Sequence, residues 1–408
     1  MSMEKTAAFS QPLDLPCGAR LQNRFMKSAM SERSGLADGA PARELFTLYK
    51  RWAAGGAGLL VTGNVMIDRR YPGEPGNVFL EDDRHMDLFR EWAEWGQTGV
   101  TSLWMQINHP GRQIPAVLCK KPVAPSAVPL TGKMARVFAT PRALTDQEVR
   151  DTIARYATTA RLAREAGFAG VQVHGAHGYL VSQFLSPVAN IRDDYWGGDE
   201  QRRLNFALEV YRAIRAAVGP DFPVSFKINA ADFLKDGIAV EDSTRVAQAL
   251  EKEGLDLLEI SGGTYENPAM FRGSSPREAY FIEFADAIKS RTTTMPLALT
   301  GGFRSGAAMV SALQEGACDV IGIGRPLCVD PEFVRRLLQD PLTRFQLRTP
   351  STGIKGLDQT LMLDVNWFKC QMDLMARGRE PETDLGAWRS VFRMFREFGT
   401  HAFRKQRA

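Results

Sequence analysis

Gly170-Val171-Gln172-Val173-His174-Gly175-Ala176-His177-Gly178-Tyr179 follows the polar run Thr145–Gly167, and that junction decides the fold. Thr145-Asp146-Gln147-Glu148 matches a capping box opening a helix. Gly167 suits the left-handed stop of that helix, and Gly170–His174 reads as a short buried strand ending in polar groups. The same helix, glycine, strand rhythm recurs at Arg43–Gly56 into Gly58–Asn64, Glu241–Gly254 into Leu257–Gly263, and Ser305–Gly316 into Asp319–Arg325. Asn23–Ala29, Thr101–Asn108, Val224–Ile228 and Leu297–Thr300 complete the series. Continuous apolar strands alternating with helices require a parallel sheet buried on both faces. Eight such units predict an α/β fold, a (β/α)8 TIM barrel, over an open doubly wound sheet. No G-x-G-x-x-G follows a strand and no P-loop pattern exists, which weighs against dinucleotide-fold and P-loop readings.

The flanks extend this plan. Leu13–Leu21, with Cys17-Gly18 at its turn, resembles a hairpin that caps the barrel's lower end. Gly111–Arg142 holds many prolines and no helical period, so it reads as a long loop over the upper face. After Pro341 the rhythm stops. Residues 1–340 are therefore expected to form the barrel and 341–408 a C-terminal helical extension. Its helices are expected at Leu361–Arg377 and Trp388–Phe398, packed on the barrel or on a partner subunit.

Composition excludes several classes. The chain has 408 residues, 44% hydrophobic, and a formal net charge of +4. Its basic residues are scattered apart from Arg404, Lys405 and Arg407, so no stripe tracks a nucleic acid. The five cysteines are dispersed without a Cys-x-x-Cys pair, which leaves no basis for an iron–sulfur cluster, a zinc site or a disulfide framework. Met1–Leu15 lacks an apolar core of the signal type, and the most apolar window, Ala53–Ile67, is too short to span a bilayer. No membrane association and a cytoplasmic setting are expected.

Strand ends carry the chemistry in such a barrel. Only five histidines occur, and His174 and His177 lie three apart with Tyr179 two further on. Two imidazoles can hold a carbonyl oxygen, and a phenol beside them can deliver a proton. That combination suits a conjugated carbonyl compound. A metal reading lacks a third ligand, so no metal is expected; polar filling of a strand end remains the plainer alternative. Ser28, Met30, Gly63, Gln106, His109, Lys227, Ser261-Gly262-Gly263, Gly301-Gly302 and Gly324-Arg325 stand at the other strand ends. The last two pairs offer backbone N–H groups and one guanidinium for a phosphate. A buried Lys227 needs an anion or a salt bridge, and Gln106 could pair with a heterocycle's edge.

In this order the pieces resemble the Old Yellow Enzyme family of FMN-dependent oxidoreductases, over about residues 10–335. The strongest elements are Gln106 through Gln113, Ala124–Ala127, Pro141–Thr145, His174–Pro187, Asn190–Gly198 and Gly322–Pro326. The resemblance implies FMN across the barrel mouth, its phosphate on Gly301, Gly302, Gly324 and Arg325. Gln106 would pair with the flavin's pyrimidine edge, and Lys227 would lie near N1 and O2. Main-chain groups of Ser28, Ala29, Met30 and Gly63 would line the ring system.

The implied reaction passes hydride from NADH or NADPH through the flavin to an enone- or enal-type alkene in turn. His174 and His177 would donate to the carbonyl oxygen and Tyr179 would protonate the α-carbon. Two alternatives keep the same site: an NADH oxidase or quinone reductase, and a flavin-binding redox sensor with little turnover. Met30 departs from the Thr or Cys common in relatives, and Glu32 stands where some relatives place a substrate-contacting Tyr. Arg112, Arg136 and Arg272 are the loop arginines available for an NADPH 2′-phosphate. The tail, including Trp367-Phe368-Lys369-Cys370-Gln371, is a candidate to cover a neighbour's site in a homo-oligomer.

Overall fold

The computed structural model describes residues 8–267, 278–346, 348 and 350–405. Eight parallel strands close on themselves: β1 (Phe25–Lys27), β2 (Leu59–Val61), β3 (Ser102–Asn108), β4 (Gly170–Gly175), β5 (Val224–Asn229), β6 (Leu257–Ser261), β7 (Leu297–Thr300) and β8 (Val320–Ile323). Each pairs with the next, and β8 returns to β1 through Ile321↔Phe25 and Gly322↔Met26. The outer ring comprises α1 (Arg43–Ala54), α2 (Met86–Gly96), α3 (Asp146–Glu165), α4 (Asn205–Val218), α5 (Val240–Lys252), α6 (Ile282–Lys289), α7 (Gly306–Gln314) and α8 (Phe333–Gln339). All eight strands occur where the alternation of apolar runs and helices places them. The α3 capping box is formed in both directions, Glu148 N–H to Thr145 Oγ1 and Thr145 N–H to Glu148 Oε2.

Alternation along the strands sorts the side chains into two populations. Val171, Val173, Phe226, Ile228, Leu258 and Ile260 face outward into the main core beneath the helices. Their sequence neighbours point inward and stack in layers. The lowest layer is apolar: Met26, Leu59, Val61, Trp104, Leu257, Ala298 and Val320. Beneath it the hairpin Leu13–Asp14 and Arg20–Leu21 contributes Leu15 and Leu21 to the same cluster, and Cys17 N–H donates to Asp256 at 2.8 Å. The lower end is thus plugged.

Gly111–Arg142 is mostly irregular, with one 3₁₀ turn at Gly132–Arg136 and a two-residue pairing of Val123–Ala124 with Arg142–Ala143. Beyond the barrel lie α9 (Leu363–Ala376) and α10 (Ala387–Lys405). Trp367, Phe368, Lys369, Cys370 and Gln371 are all buried within this same chain. Trp367 Nε1 donates to Leu385 O, and Gln371 exchanges two bonds with Glu382. That packing holds these five side chains within their own chain. No helix among the described residues is long and apolar enough to cross a membrane.

Candidate active site

Above the apolar layer the barrel interior turns polar. Gln106, Gln172, Lys227 and Glu259 are buried there in one continuous chain of bonds. Gln106 Nε2 donates to Gln172 Oε1 at 2.7 Å, and Gln172 Nε2 donates to Glu259 Oε2 at 2.9 Å. Lys227 Nζ meets Glu259 Oε1 at 2.9 Å, and Thr300 Oγ1 donates to the same oxygen at 2.7 Å. Ser28 Oγ closes the row on Thr300 at 2.7 Å. The anion that Lys227 requires is therefore supplied by the protein.

The histidine loop sits one layer higher. His174 and His177 ring centroids are 5.0 Å apart at 78°, and His174 and Tyr179 are 4.7 Å apart at 81°. His177 adopts φ +60°, a left-handed turn that brings its ring back over β4. Burial first, then the Lys227 ammonium, pushes the His174 imidazole well below its usual range; burial and His174 do the same to His177. Both are thus neutral at physiological pH. Ala176 N–H donates to His174 Nδ1, so the ring proton of His174 resides on Nε2. His177 Nε2 lies 2.8 Å from Ser261 Oγ, and its backbone N–H donates to Asn229 Oδ1. Tyr179 is buried, with its hydroxyl 3.3 Å from Tyr265, and burial raises its phenol well above the ordinary value. It holds its proton throughout the physiological range.

Asn229 also donates to Asp232 at 2.7 Å, and burial raises that carboxyl to about 6. The unfolded group ionises at its ordinary lower value, so between pH 4 and about 6 the native state binds the extra proton. Stability should fall as pH rises through that window, by at most about 3 kcal/mol. Urea unfolding of wild type and Asp232→Asn at both ends of the window checks this; an identical pH slope in the two proteins would reject it.

The remaining strand ends converge on the same mouth. Gly302 has φ +79°, and a Cβ there would lie 2.4 Å from the Tyr280 ring. Among the described residues the N–H groups of Gly301, Gly302 and Gly324 have no acceptor, and the buried Tyr280 hydroxyl has no partner. Arg325 reaches Asp364 at 3.4 Å, and Met30 Sδ lies 3.4 Å from Cys328 Sγ. Ala29 packs against the inner apolar cluster.

Gly63 is obligatory: a Cβ would meet Glu32 Oε2 at 1.9 Å and Met30 O at 2.2 Å. Glu32 is no lid residue. Its carboxylate is buried against Lys27 Nζ at 3.3 Å and the Tyr49 hydroxyl at 2.5 Å, beneath the mouth. His109 likewise serves structure, accepting from Gly111 N–H while burial lowers its pKa to about 4.

Of the three loop arginines, Arg112 is committed elsewhere. It is buried, donates to Val128 O and Pro129 O, and pairs with Glu266 at 3.1 Å. Glu266 also accepts from Thr131 N–H and Thr131 Oγ1. Arg136 is exposed, and Arg272 lies outside the described residues. Sequence reasoning missed Gln172, Glu259, Thr300, Asn229 and Tyr265, each polar and isolated in its own stretch.

Residues 9–342 match the model of the NADH:flavin oxidoreductase / NADH oxidase family. A NADH-dependent flavin oxidoreductase, iliE, of Hypocrea jecorina (strain QM6a) is 38% identical over 349 residues, covering 79% of this chain and 86% of that protein. An NADH oxidase of Thermoanaerobacter brockii is 35% identical over 323 residues, covering 78% of this chain and 48% of that one. Morphinone reductase in complex with tetrahydroNAD superposes with a TM-score of 0.70 at 23% identity, covering 85% and 93%, a likeness of fold.

A (β/α)8 barrel with this match is a flavin-dependent oxidoreductase in class. The chain belongs to the NADH:flavin oxidoreductase / NADH oxidase family. It is an NAD(P)H:flavin oxidoreductase that uses FMN. The residues present are compatible with that group: among the described residues the N–H donors of Gly301, Gly302 and Gly324 and the Tyr280 hydroxyl are unpaired, as a phosphate site requires. Among the described residues no group of His, Cys, Asp or Glu could hold a metal ion.

Proposed function

We propose that this protein reduces the activated C=C bond of α,β-unsaturated carbonyl compounds, with NADH or NADPH as donor. The observation that carries the reading is the convergence of two neutral imidazoles and one protonated phenol in a single cluster around His174. Bound FMN supplies the two-electron exchange between nicotinamide and alkene. Gly301, Gly302, Gly324 and Arg325 would hold its phosphate, with Gln106, Lys227 and the Ser28, Ala29, Met30 and Gly63 main chain along its ring.

The protein's own work is to bind, polarise and protonate. His174 Nε2–H and a His177 N–H donate to the carbonyl oxygen, and hold the charge that grows there as the β-carbon is reduced. Neutral donors suit this task, since the proton stays on the ring and the oxygen is released easily. Tyr179 keeps its proton for the α-carbon. Tyr265 then donates to the oxygen that Tyr179 leaves charged. Losing one hydrogen bond of about 1 kcal/mol predicts that Tyr265→Phe slows alkene reduction about fivefold and spares NAD(P)H oxidation. Stopped-flow measurement of both half-reactions decides this; equal slowing would remove Tyr265 from the protonation step.

The main test is spectroscopic. FMN-loaded protein should bleach on anaerobic NADH or NADPH and recover its colour on adding cyclohexenone or N-ethylmaleimide. Recovery with oxygen or a quinone but with no activated alkene would reject the alkene reading in favour of an oxidase or quinone reductase.

A further inference from the structure

Glu259 is fully buried on β6 inside the barrel, and it is an acceptor-only group surrounded by three donors. Two consequences follow from those bonds. First, Lys227 meets its countercharge at 2.9 Å, so the charge it presents to the mouth above is partly offset. Second, a carboxylate cannot donate, so Gln172 must turn its NH₂ toward Glu259 and its oxygen toward Gln106. Gln106 must then give its NH₂ to Gln172, which leaves the Gln106 carbonyl oxygen for whatever lies above. One carboxylate thereby fixes both the charge of the lysine and the orientation of two amides. Thr300, bonded to Ser28, anchors the carboxylate from the opposite side.

We propose that Glu259 is a positioning residue that sets the flavin's reduction potential, by offsetting the Lys227 charge and orienting Gln106 through Gln172. This rests on the FMN site described above, where Lys227 and Gln106 border the pyrimidine edge. Reduction places negative charge on that edge, and a lone ammonium would stabilise it. Paired with Glu259, Lys227 stabilises it much less, and the bound flavin remains the stronger reductant.

Sulfite is a probe that needs no turnover. It adds through sulfur to N5 of oxidised flavin, forming one S–N bond and leaving the negative charge on the same pyrimidine edge. Glu259→Gln keeps the shape and removes the countercharge. Sulfite should bind FMN-loaded Glu259→Gln at least tenfold more tightly than wild type, and the two-electron midpoint should rise by about 30 mV per tenfold change in equilibrium constant. Unchanged sulfite affinity and midpoint in that variant would overturn the proposal.

The doubly neutral Lys227→Met/Glu259→Gln leaves no buried charge and serves where the single variant fails to fold. If the pair cancels, its sulfite affinity should stay within about threefold of wild type. A fall of tenfold or more would show that Lys227 acts as an uncompensated cation and overturn the proposal. A wild-type protein that takes up no FMN would defeat the functional reading itself, and that failure is visible before any sulfite is added.

Discussion

Tyr179→Phe is expected to lower alkene reduction by about 10²–10⁴, the range of a lost general acid. Flavin reduction by NADH or NADPH should be preserved, because that half-reaction needs no proton from the phenol. The variant also keeps the buried ring that packs 4.7 Å from His174, so a loss would report chemistry and not collapse of the pocket. With burial holding the Tyr179 phenol high and both imidazoles low, wild-type alkene reduction should be flat from about pH 6 to about pH 9. Single-turnover reoxidation by cyclohexenone measures both expectations. Equal loss in the two half-reactions, or an inflection inside that pH range, would refute the assigned role of Tyr179.

His174→Ala and His177→Ala should each lower the same step by about 10²–10³, as expected for removing one donor from a developing oxyanion. The drop should appear in the rate at saturating alkene as well as in kcat/KM, because the bonds strengthen as charge develops. Replacement by Asn, which retains an N–H donor, should recover part of the activity. Ser261 partners His177, and Asn229 fixes its backbone, so those neighbours hold the geometry while one ring is removed. An alanine variant with undiminished turnover would show that the carbonyl oxygen lies elsewhere.

The barrel was legible because its strands are buried on both faces and therefore read as continuous apolar runs bounded by glycines. Leu297–Thr300 was recovered to the residue. The His174–Tyr179 cluster was legible because its members are neighbours in sequence as well as in space. The polar layer was not. Glu259 appears in Leu257-Leu258-Glu259-Ile260-Ser261 as one charge within a hydrophobic strand, and its partners lie on three other strands. Only the register that sets Gln106 beside Gln172, and Lys227 beside Glu259, makes them one network. Glu32 misled for the opposite reason. Its position along the chain suggested the mouth, whereas Lys27 and Tyr49 draw it inward, where removing the Lys27 charge would cost about 3–5 kcal/mol.

Glu266 is gripped at once by Arg112 and Thr131 from one long loop, while its own neighbour Tyr265 touches Tyr179. Two separate stretches of chain, around Thr131 and around Glu266, are thus latched together beside the proton donor. Releasing Glu266 would therefore free the segment that carries Tyr265, and with it the hydroxyl beside Tyr179.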